Sequence, residues 1–288
     1  MRVIHEPGEM AAESLAWLRS GRETGFIPTM GALHAGHLSL ADRARADNDM
    51  VAMSIFVNPA QFMPGEDFDA YPRTLDADLE AAENAGVDAV FVPTAAAMYR
   101  PRAQTAVMVD SLTKPLCGLS RGRGHFTGVA TVVAKLFNLV RPTRAYFGQK
   151  DAQQALVVQR MVLDLDFPVE IVVCPTARED DGLALSSRNR NLPAGSRASA
   201  LRLREALVLG RDRLRKGERD AMALLEAMTE WLVADPAVEI DYLNIAAPET
   251  LEDVERVDDL ALFAGAVRVG GVRLIDNLLA GPDGPWED

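Results

Sequence analysis

Short apolar runs alternate with helix-spaced apolar positions through residue 173 of the chain. Residues 26–28, 51–57, 88–93, 144–147 and 169–173 read as strands. Residues 9–20, 36–45, 75–85, 128–140 and 151–163 place apolar side chains at helical spacing. The run Val51-Ala52-Met53-Ser54-Ile55-Phe56-Val57 is almost uninterrupted, which marks a strand covered on both faces. Strands alternating with helices in this way predict a parallel sheet with helices on both sides, an α/β fold. The regime ends near residue 185. Two amphipathic helices follow at 194–216 and 219–234, then strands at 240–245, 260–269 and 272–275. A Gly270-Gly271 turn joins the last two as a hairpin. These changes predict two domains, 1–185 and a smaller α+β domain, 186–288, with residues 281–285 frayed.

Charge and composition narrow the function classes. The 42 acidic and 30 basic residues give a formal net charge of −12, which argues against non-specific nucleic-acid binding. Any phosphate site must therefore be locally positive on a negative background. Two isolated cysteines, Cys117 and Cys174, suit a reducing compartment. The first residues form no apolar leader, and no run reaches the length of a membrane span. The expectation is a soluble, cytoplasmic protein that meets no membrane.

The densest candidate chemistry lies in Pro28-Thr29-Met30-Gly31-Ala32-Leu33-His34-Ala35-Gly36-His37. It reads as strand, tight glycine turn and helix, a junction at the sheet edge where α/β proteins bind ligands. A helix starting there presents N–H groups and partial positive charge to an anion. His-x-Gly-His alone fits three descriptions: part of a metal site, two surface histidines, or imidazoles that contact triphosphate oxygens. A catalytic zinc wants three ligands, and His5 and His125 are far away in sequence. Four letters do not choose among them.

Further segments do. Ser54-Ile55-Phe56-Val57-Asn58-Pro59-Ala60-Gln61-Phe62, Tyr71-Pro72-Arg73-Thr74 and Gly124-His125-Phe126-Thr127-Gly128-Val129 accompany the histidine stretch. So do Phe147-Gly148-Gln149-Lys150-Asp151-Ala152-Gln153-Gln154, Asp181-Gly182-Leu183-Ala184-Leu185-Ser186-Ser187-Arg188-Asn189 and Arg273-Leu274-Ile275-Asp276-Asn277. Together they resemble the pantothenate synthetase (pantoate–β-alanine ligase) family over nearly the whole chain. The resemblance implies a Rossmann-like first domain of the class I synthetase and nucleotidyltransferase type, a C-terminal lid and a cytoplasmic homodimer. It also implies the reaction: pantoate and ATP with Mg²⁺ give pantoyl adenylate and pyrophosphate, and β-alanine converts the adenylate to pantothenate and AMP.

Residue by residue, the resemblance implies catalytic roles for His34, His37, Lys150 and Arg188, with His37 as proton donor. ATP would meet Pro28, Met30, Gly31, Ala32, Leu33, His34, Ala35, Gly36 and His37, then Gly148, Gln149, Lys150, Asp151, Ala177, Leu185, Ser186, Ser187 and Arg188. Gln61 and Gln154 would bind pantoate, Gln61 and Asn58 β-alanine, and Asp78 is a candidate Mg²⁺ ligand. Two departures stand out. Cys117 replaces the family's usual glutamate, and one extra residue before His125 leaves Arg121 and Arg123 competing for the usual arginine's place. Ala77 interrupts the acidic run beside Asp78. Two rivals remain at this stage: another nucleotidyltransferase that shares His-x-Gly-His, and a nucleotide-binding scaffold without turnover.

Overall fold

The computed structural model describes residues 1–63 and 68–284. Part of the Gly-, Pro- and Asp-rich stretch before the helix expected at 75–85, and Pro285 of the expected frayed end, lie outside them. The chain divides into two compact units. The first comprises residues 1–149 and 153–175; the second comprises 150–152 and 176 onward.

The first unit is a six-stranded parallel sheet. Its strands are β1 (Arg2–Ile4), β2 (Thr24–Thr29), β3 (Met50–Ile55), β4 (Ala89–Phe91), β5 (Arg144–Gly148) and β6 (Glu170–Cys174), ordered β1-β4-β3-β2-β5-β6. The helices are α1 (Pro7–Arg19), α2 (Ala35–Asp47), α3 (Leu75–Asn84), α4 (Ala95–Met98), α5 (Cys117–Val140) and α6 (Ala152–Asp164). Neighbouring β2 residues explain why the strand positions are apolar without alternation. Ile27 joins a core with Leu40, Ala41 and Ala44 of α2 and Ala82 of α3. Phe26 meets Phe137 of α5 edge-on, with ring centroids 6.5 Å apart. Both faces of the sheet are therefore covered.

The strand order reverses at β2. From there β3 and β4 run outward on one side, and β5 and β6 on the other. The β2–β3 ladder spans all six residues of each strand. The β2–β5 ladder holds only Gly25 opposite Arg144 and Phe26 opposite Ala145. The two strands thus part toward their carboxyl ends, which is the topological switch point where α/β sheets bind ligands.

The second unit packs α7 (Arg197–Arg215) and α8 (Ala221–Val233) on the antiparallel sheet β7 (Val238–Ala246), β8 (Ala261–Val269), β9 (Val272–Ala280). Leu203, Leu207, Leu224 and Met228 meet Phe263, Val267 and Leu278 in its core. Gly270 and Gly271 both take positive φ, 57° and 82°, as the two-residue hairpin expected there requires.

Several elements differ from the sequence expectation: the short α4 was not expected, and β9 runs to Ala280 rather than residue 275. β1 has one buried residue in three, so only its pairing with β4 reveals it. Helix α5 starts at Cys117 rather than near residue 128, and it is broken at Gly122, which has φ 70° and ψ 169°. The glycines at 118, 122 and 124 hid this first stretch.

Candidate active site

The first group of candidate residues grows out of β2. Pro28 lies in the strand and the chain then turns through Met30, Gly31, Ala32 and Leu33 into α2. Gly31 has φ 85°, and a Cβ there would sit 2.9 Å from Asp78 Oδ2 and 3.0 Å from Ile55 Cγ2. A side chain would fit neither that backbone nor that space. Thr29 Oγ1 accepts from Gly31 N–H at 3.2 Å and donates to the Ser54 carbonyl at 2.7 Å, tying the turn to β3.

His34 is the N-cap of α2, and Ala35, Gly36 and His37 are its first three residues. The two imidazoles form a reciprocal capping box. His34 Nδ1 accepts from Gly36 N–H at 3.2 Å, and His37 Nδ1 accepts from His34 N–H at 3.4 Å. Their ring centroids are 4.1 Å apart. An Nδ1 that accepts leaves the proton of a neutral imidazole on Nε2, so each ring carries an N–H donor on its far side. This is the feature that separates the site from two unrelated surface histidines. Among the described residues, no group of three or more His, Cys, Asp or Glu side chains is arranged to hold a metal ion.

Beyond β3 a single 3-10 turn, Pro59–Gln61, carries the amide pair. Asn58 and Gln61 are both buried. Asn58 Nδ2 donates to Gln61 Oε1 at 3.0 Å and to the Gly128 carbonyl at 3.2 Å. Its Oδ1 accepts from Tyr99 Oη at 2.7 Å and from Ala60 N–H at 3.3 Å. Four bonds fill this amide's capacity. A substrate contact from Asn58 therefore requires one of them to be exchanged, and in this arrangement Asn58 holds Gln61. Gln61 Nε2 lies 3.0 Å from Met30 Sδ, which brings the amide pair beside the histidine turn. Burial pushes the Tyr99 hydroxyl up to about 12, against the opposing effect of its bond to Asn58.

Helix α5 closes on this turn because residue 128 is glycine. A Cβ at Gly128 would stand 2.1 Å from the Ala60 carbonyl oxygen. On the same helix His125 is buried, with Nδ1 2.7 Å from the Gln61 carbonyl and Nε2 2.9 Å from Arg121 Nη1. Arg123 instead pairs on the surface with Asp110 at 3.4 Å. Of the two competing arginines, Arg121 is the one that reaches His125. Tyr99 and His125 were not among the expected site residues. The Gly-His-Phe run signalled His125, whereas Tyr99 lies outside every motif segment.

Asp78, the candidate cation ligand, is 3 % exposed in the first turn of α3. Its Oδ2 accepts from Ala32 N–H at 2.9 Å and its Oδ1 from Leu33 N–H at 2.8 Å. Both oxygens accept from the histidine turn, and among the described residues Asp78 belongs to no group of three or more His, Cys, Asp or Glu side chains that could hold a metal ion. Gly148 ends β5, Gln149 follows it, and Gln154 sits half-buried in the first turn of α6.

The second group belongs to the second unit. Lys150 Nζ lies 3.5 Å from Asp151 Oδ2, and the Lys150 carbonyl accepts from Asn277 Nδ2 at 3.0 Å. The chain between β6 and α7 folds back on itself: Ala177 O accepts from Leu185 N–H at 2.9 Å. Ser186 caps a 3-10 helix, Ser187–Asn191, by accepting from Arg188 N–H at 3.3 Å. Arg178 grips Asp276 with two bonds, 2.8 and 3.1 Å, and both side chains are largely buried. Arg197 binds Glu179 at 2.6 Å and Asp181 at 2.6 and 2.7 Å. That guanidinium holds the Asp181 carboxyl down to about 2 and lowers Glu179 as well.

The profile of the pantoate–β-alanine ligase family matches residues 2–279. The chain belongs to that family. Pantothenate synthetase from Moorella thermoacetica is 56% identical over 259 residues, covering 90% of this chain and 91% of that one. The Thermotoga neapolitana enzyme is 50% identical over 281 residues, 98% and 100% of the two chains. A crystal structure of the Thermus thermophilus pantothenate synthetase superposes with TM-score 0.88 at 47% identity, covering 96% of this chain and 99% of that one. The Francisella tularensis pantoate–β-alanine ligase, solved in complex with β-γ ATP and β-alanine, gives TM-score 0.79 at 31% identity, with 98% and 99% covered. The helix break at Gly122 lies between Arg121 and Arg123. No helix among the described residues is long and apolar enough to cross a membrane.

Proposed function

We infer that the protein catalyses the ATP-dependent condensation of pantoate with β-alanine, forming pantothenate, AMP and pyrophosphate through pantoyl adenylate. The observation that carries this reading is the His34–His37 box at the N-terminus of α2, just after the switch-point strand of a chain that matches the ligase family over residues 2–279. It places two imidazoles with ring centroids 4.1 Å apart at one helix N-terminus, an arrangement that suits a polyphosphate.

A carboxylate is a poor acyl donor, because an amine attacking it would have to expel an oxide. In the first step a pantoate carboxylate oxygen attacks the α-phosphorus of ATP. The new P–O bond forms as the bond to the bridging oxygen breaks, and pyrophosphate leaves. Charge gathers on the α-phosphate and on the leaving group. His34 and His37 stabilise it by hydrogen bonding, His37 as the proton donor, and Lys150 adds a cation. Ser186, Ser187 and Arg188 bind the β- and γ-phosphates, with Gly148, Gln149, Asp151, Ala177 and Leu185 lining the nucleotide. Gln61 and Gln154 hold pantoate with neutral amides, so no further charge enters beside the carboxylate. Mg²⁺ bound together with ATP would supply positive charge against the phosphates, and such an ion takes few protein ligands. No residue is assigned to it.

In the second step the β-alanine amine attacks the adenylate carbonyl. The C–N bond forms, the bond to the phosphate oxygen breaks, AMP departs and the nitrogen passes one proton to water. With an ammonium like that of lysine, freeing the amine at pH 7 costs about 4–5 kcal/mol. Orienting two bound reactants contributes roughly 7–11 kcal/mol. The reaction proceeds on that margin without a dedicated base. The C-terminal unit as a lid, the homodimer and a cytoplasmic location belong to the same proposal.

Isotope exchange between ATP and pyrophosphate tests the reading. Exchange is expected to require pantoate and to proceed without β-alanine. Exchange driven by a phosphopantetheine acceptor instead would assign the chain to the other nucleotidyltransferases. Absence of exchange with any acceptor would make it a binding scaffold.

A further inference from the structure

Three consecutive backbone N–H groups line the turn before His34, those of Gly31, Ala32 and Leu33. Successive N–H groups in such a turn form a concavity that ordinarily takes an anion. Here all three point at this chain's own oxygens: Thr29 Oγ1 takes the first, and the Asp78 carboxylate takes the other two. Gly31 and Ala32 are both left-handed, with φ 85° and 50°. For alanine that conformation carries a strain cost, so surrounding bonds must hold it in place.

Asp78 is built for that task. It is almost wholly buried, sits in the first turn of α3 where the helix dipole favours an anion, and receives a third bond from Thr74 Oγ1 at 3.2 Å. We propose that the Asp78 carboxylate is an internal anion that occupies the Ala32–Leu33 concavity, and that it positions the turn delivering His34 and His37 instead of holding a cation. Two consequences follow for the reaction. The phosphates are kept out of this concavity by a like charge, which leaves the imidazole Nε2 atoms and the α2 N-terminus as their seat. The histidines stand on a turn whose geometry exists before any nucleotide arrives, so little of the binding energy is diverted to ordering it.

The proposal rests on assigning ATP to this turn, and the experiment separates the two. ATP–pyrophosphate exchange is measured for the wild type, Asp78→Asn and Asp78→Ala across a Mg²⁺ titration. Amide hydrogen exchange is followed at Ala32 and Leu33. Asn retains one acceptor oxygen and turns an N–H₂ group toward the other donor, so exchange turnover is expected to fall about 10–100-fold, while KM for ATP and pantoate moves less than about 3-fold. The Mg²⁺ concentration for half-maximal rate stays where it was, and the two amides exchange faster. Added formate restores part of the Asp78→Ala turnover by refilling the concavity, which a loss of packing alone would not allow. Thr74→Val, which removes only the third bond, gives a smaller drop in the same direction and serves if both Asp78 variants fail to fold.

Unchanged turnover and unchanged amide exchange in Asp78→Asn would overturn the proposal. So would turnover recovered by raising Mg²⁺, which would make Asp78 a cation ligand. An inactive wild type would sink the ATP assignment instead, and protection of Ala32 and Leu33 would still decide whether Asp78 holds the turn.

Discussion

The histidine turn of the first unit and the Ser186–Arg188 loop of the second are both assigned to phosphate, yet they are held by different physics. Around the turn, most partners are buried and uncharged. Thr29 Oγ1 bonds backbone groups, the Asn58 and Gln61 amides bond each other and Tyr99 bonds Asn58, while the one carboxylate, Asp78, is bonded to backbone N–H. Around the loop, backbone and hydroxyl bonds are joined by ion pairs. The Arg197 pairs with Glu179 and Asp181 are half-exposed, whereas the Arg178–Asp276 pair is largely buried. Buried neutral networks are insensitive to salt and costly to interrupt, whereas exposed ion pairs are individually weak and screened. The turn is thus a fixed part, and the loop is held by bonds that solution conditions can loosen.

Removing the groups that the fixed part presents has the largest effect. His37→Ala is expected to lower the rate of adenylate formation about 10²–10³-fold, the scale of losing a donor to developing charge. ATP affinity changes far less. Single-turnover adenylation alongside equilibrium ATP binding checks this, and equal losses in both would reduce His37 to a binding group.

A smaller effect tests whether the fixed part is a connected network. Tyr99→Phe deletes one hydroxyl and leaves Asn58 Oδ1 short of a donor, a loss of about 1–2 kcal/mol measured by denaturant unfolding. KM for pantoate should rise several-fold through Gln61 while KM for ATP holds. Because the phenol titrates only near 12, the pH profile of the wild type should show no step from it between pH 6 and 10. Equal changes in both KM values would mean that Tyr99 supports the unit as a whole and not the amide pair.

The smallest effect belongs to the loop. Arg197→Ala should cost about 1 kcal/mol or less, shrinking further near 1 M salt. The sign with pH follows from the carboxylates. Asp181 and Glu179 have lowered folded-state values, so their contribution is complete above the ordinary carboxylate range near pH 4. It disappears as pH falls toward about 2, the Asp181 value. Thermal unfolding of wild type and variant should converge over that window. A gap that persists at pH 2 would show that Arg197 acts by packing.

Much of the architecture was legible because local chemistry repeats it. Five of the six strands of the parallel sheet, the Gly270-Gly271 hairpin and the junction at Pro28–His37 each carry their own apolar or turn pattern. β1 and the first stretch of α5 do not, since pairing and close approach supply what their residues lack. The sequence resemblance named Asp78 as a metal candidate and Asn58 as a substrate contact. Neither reading could see that backbone N–H groups and the Tyr99 hydroxyl occupy them, because those partners lie 41 to 46 positions away along the chain.

By itself, the sequence determined the fold class and the family, because periodicity and motif spacing are local properties. Only the tertiary structure decided that β2 is the switch strand, that Arg121 and not Arg123 stands by His125, and that Asp78 faces backbone donors. Each of these depends on which oxygen meets which N–H across distant segments, and a hydrogen bond is settled by distance and direction in space, which residue order does not encode.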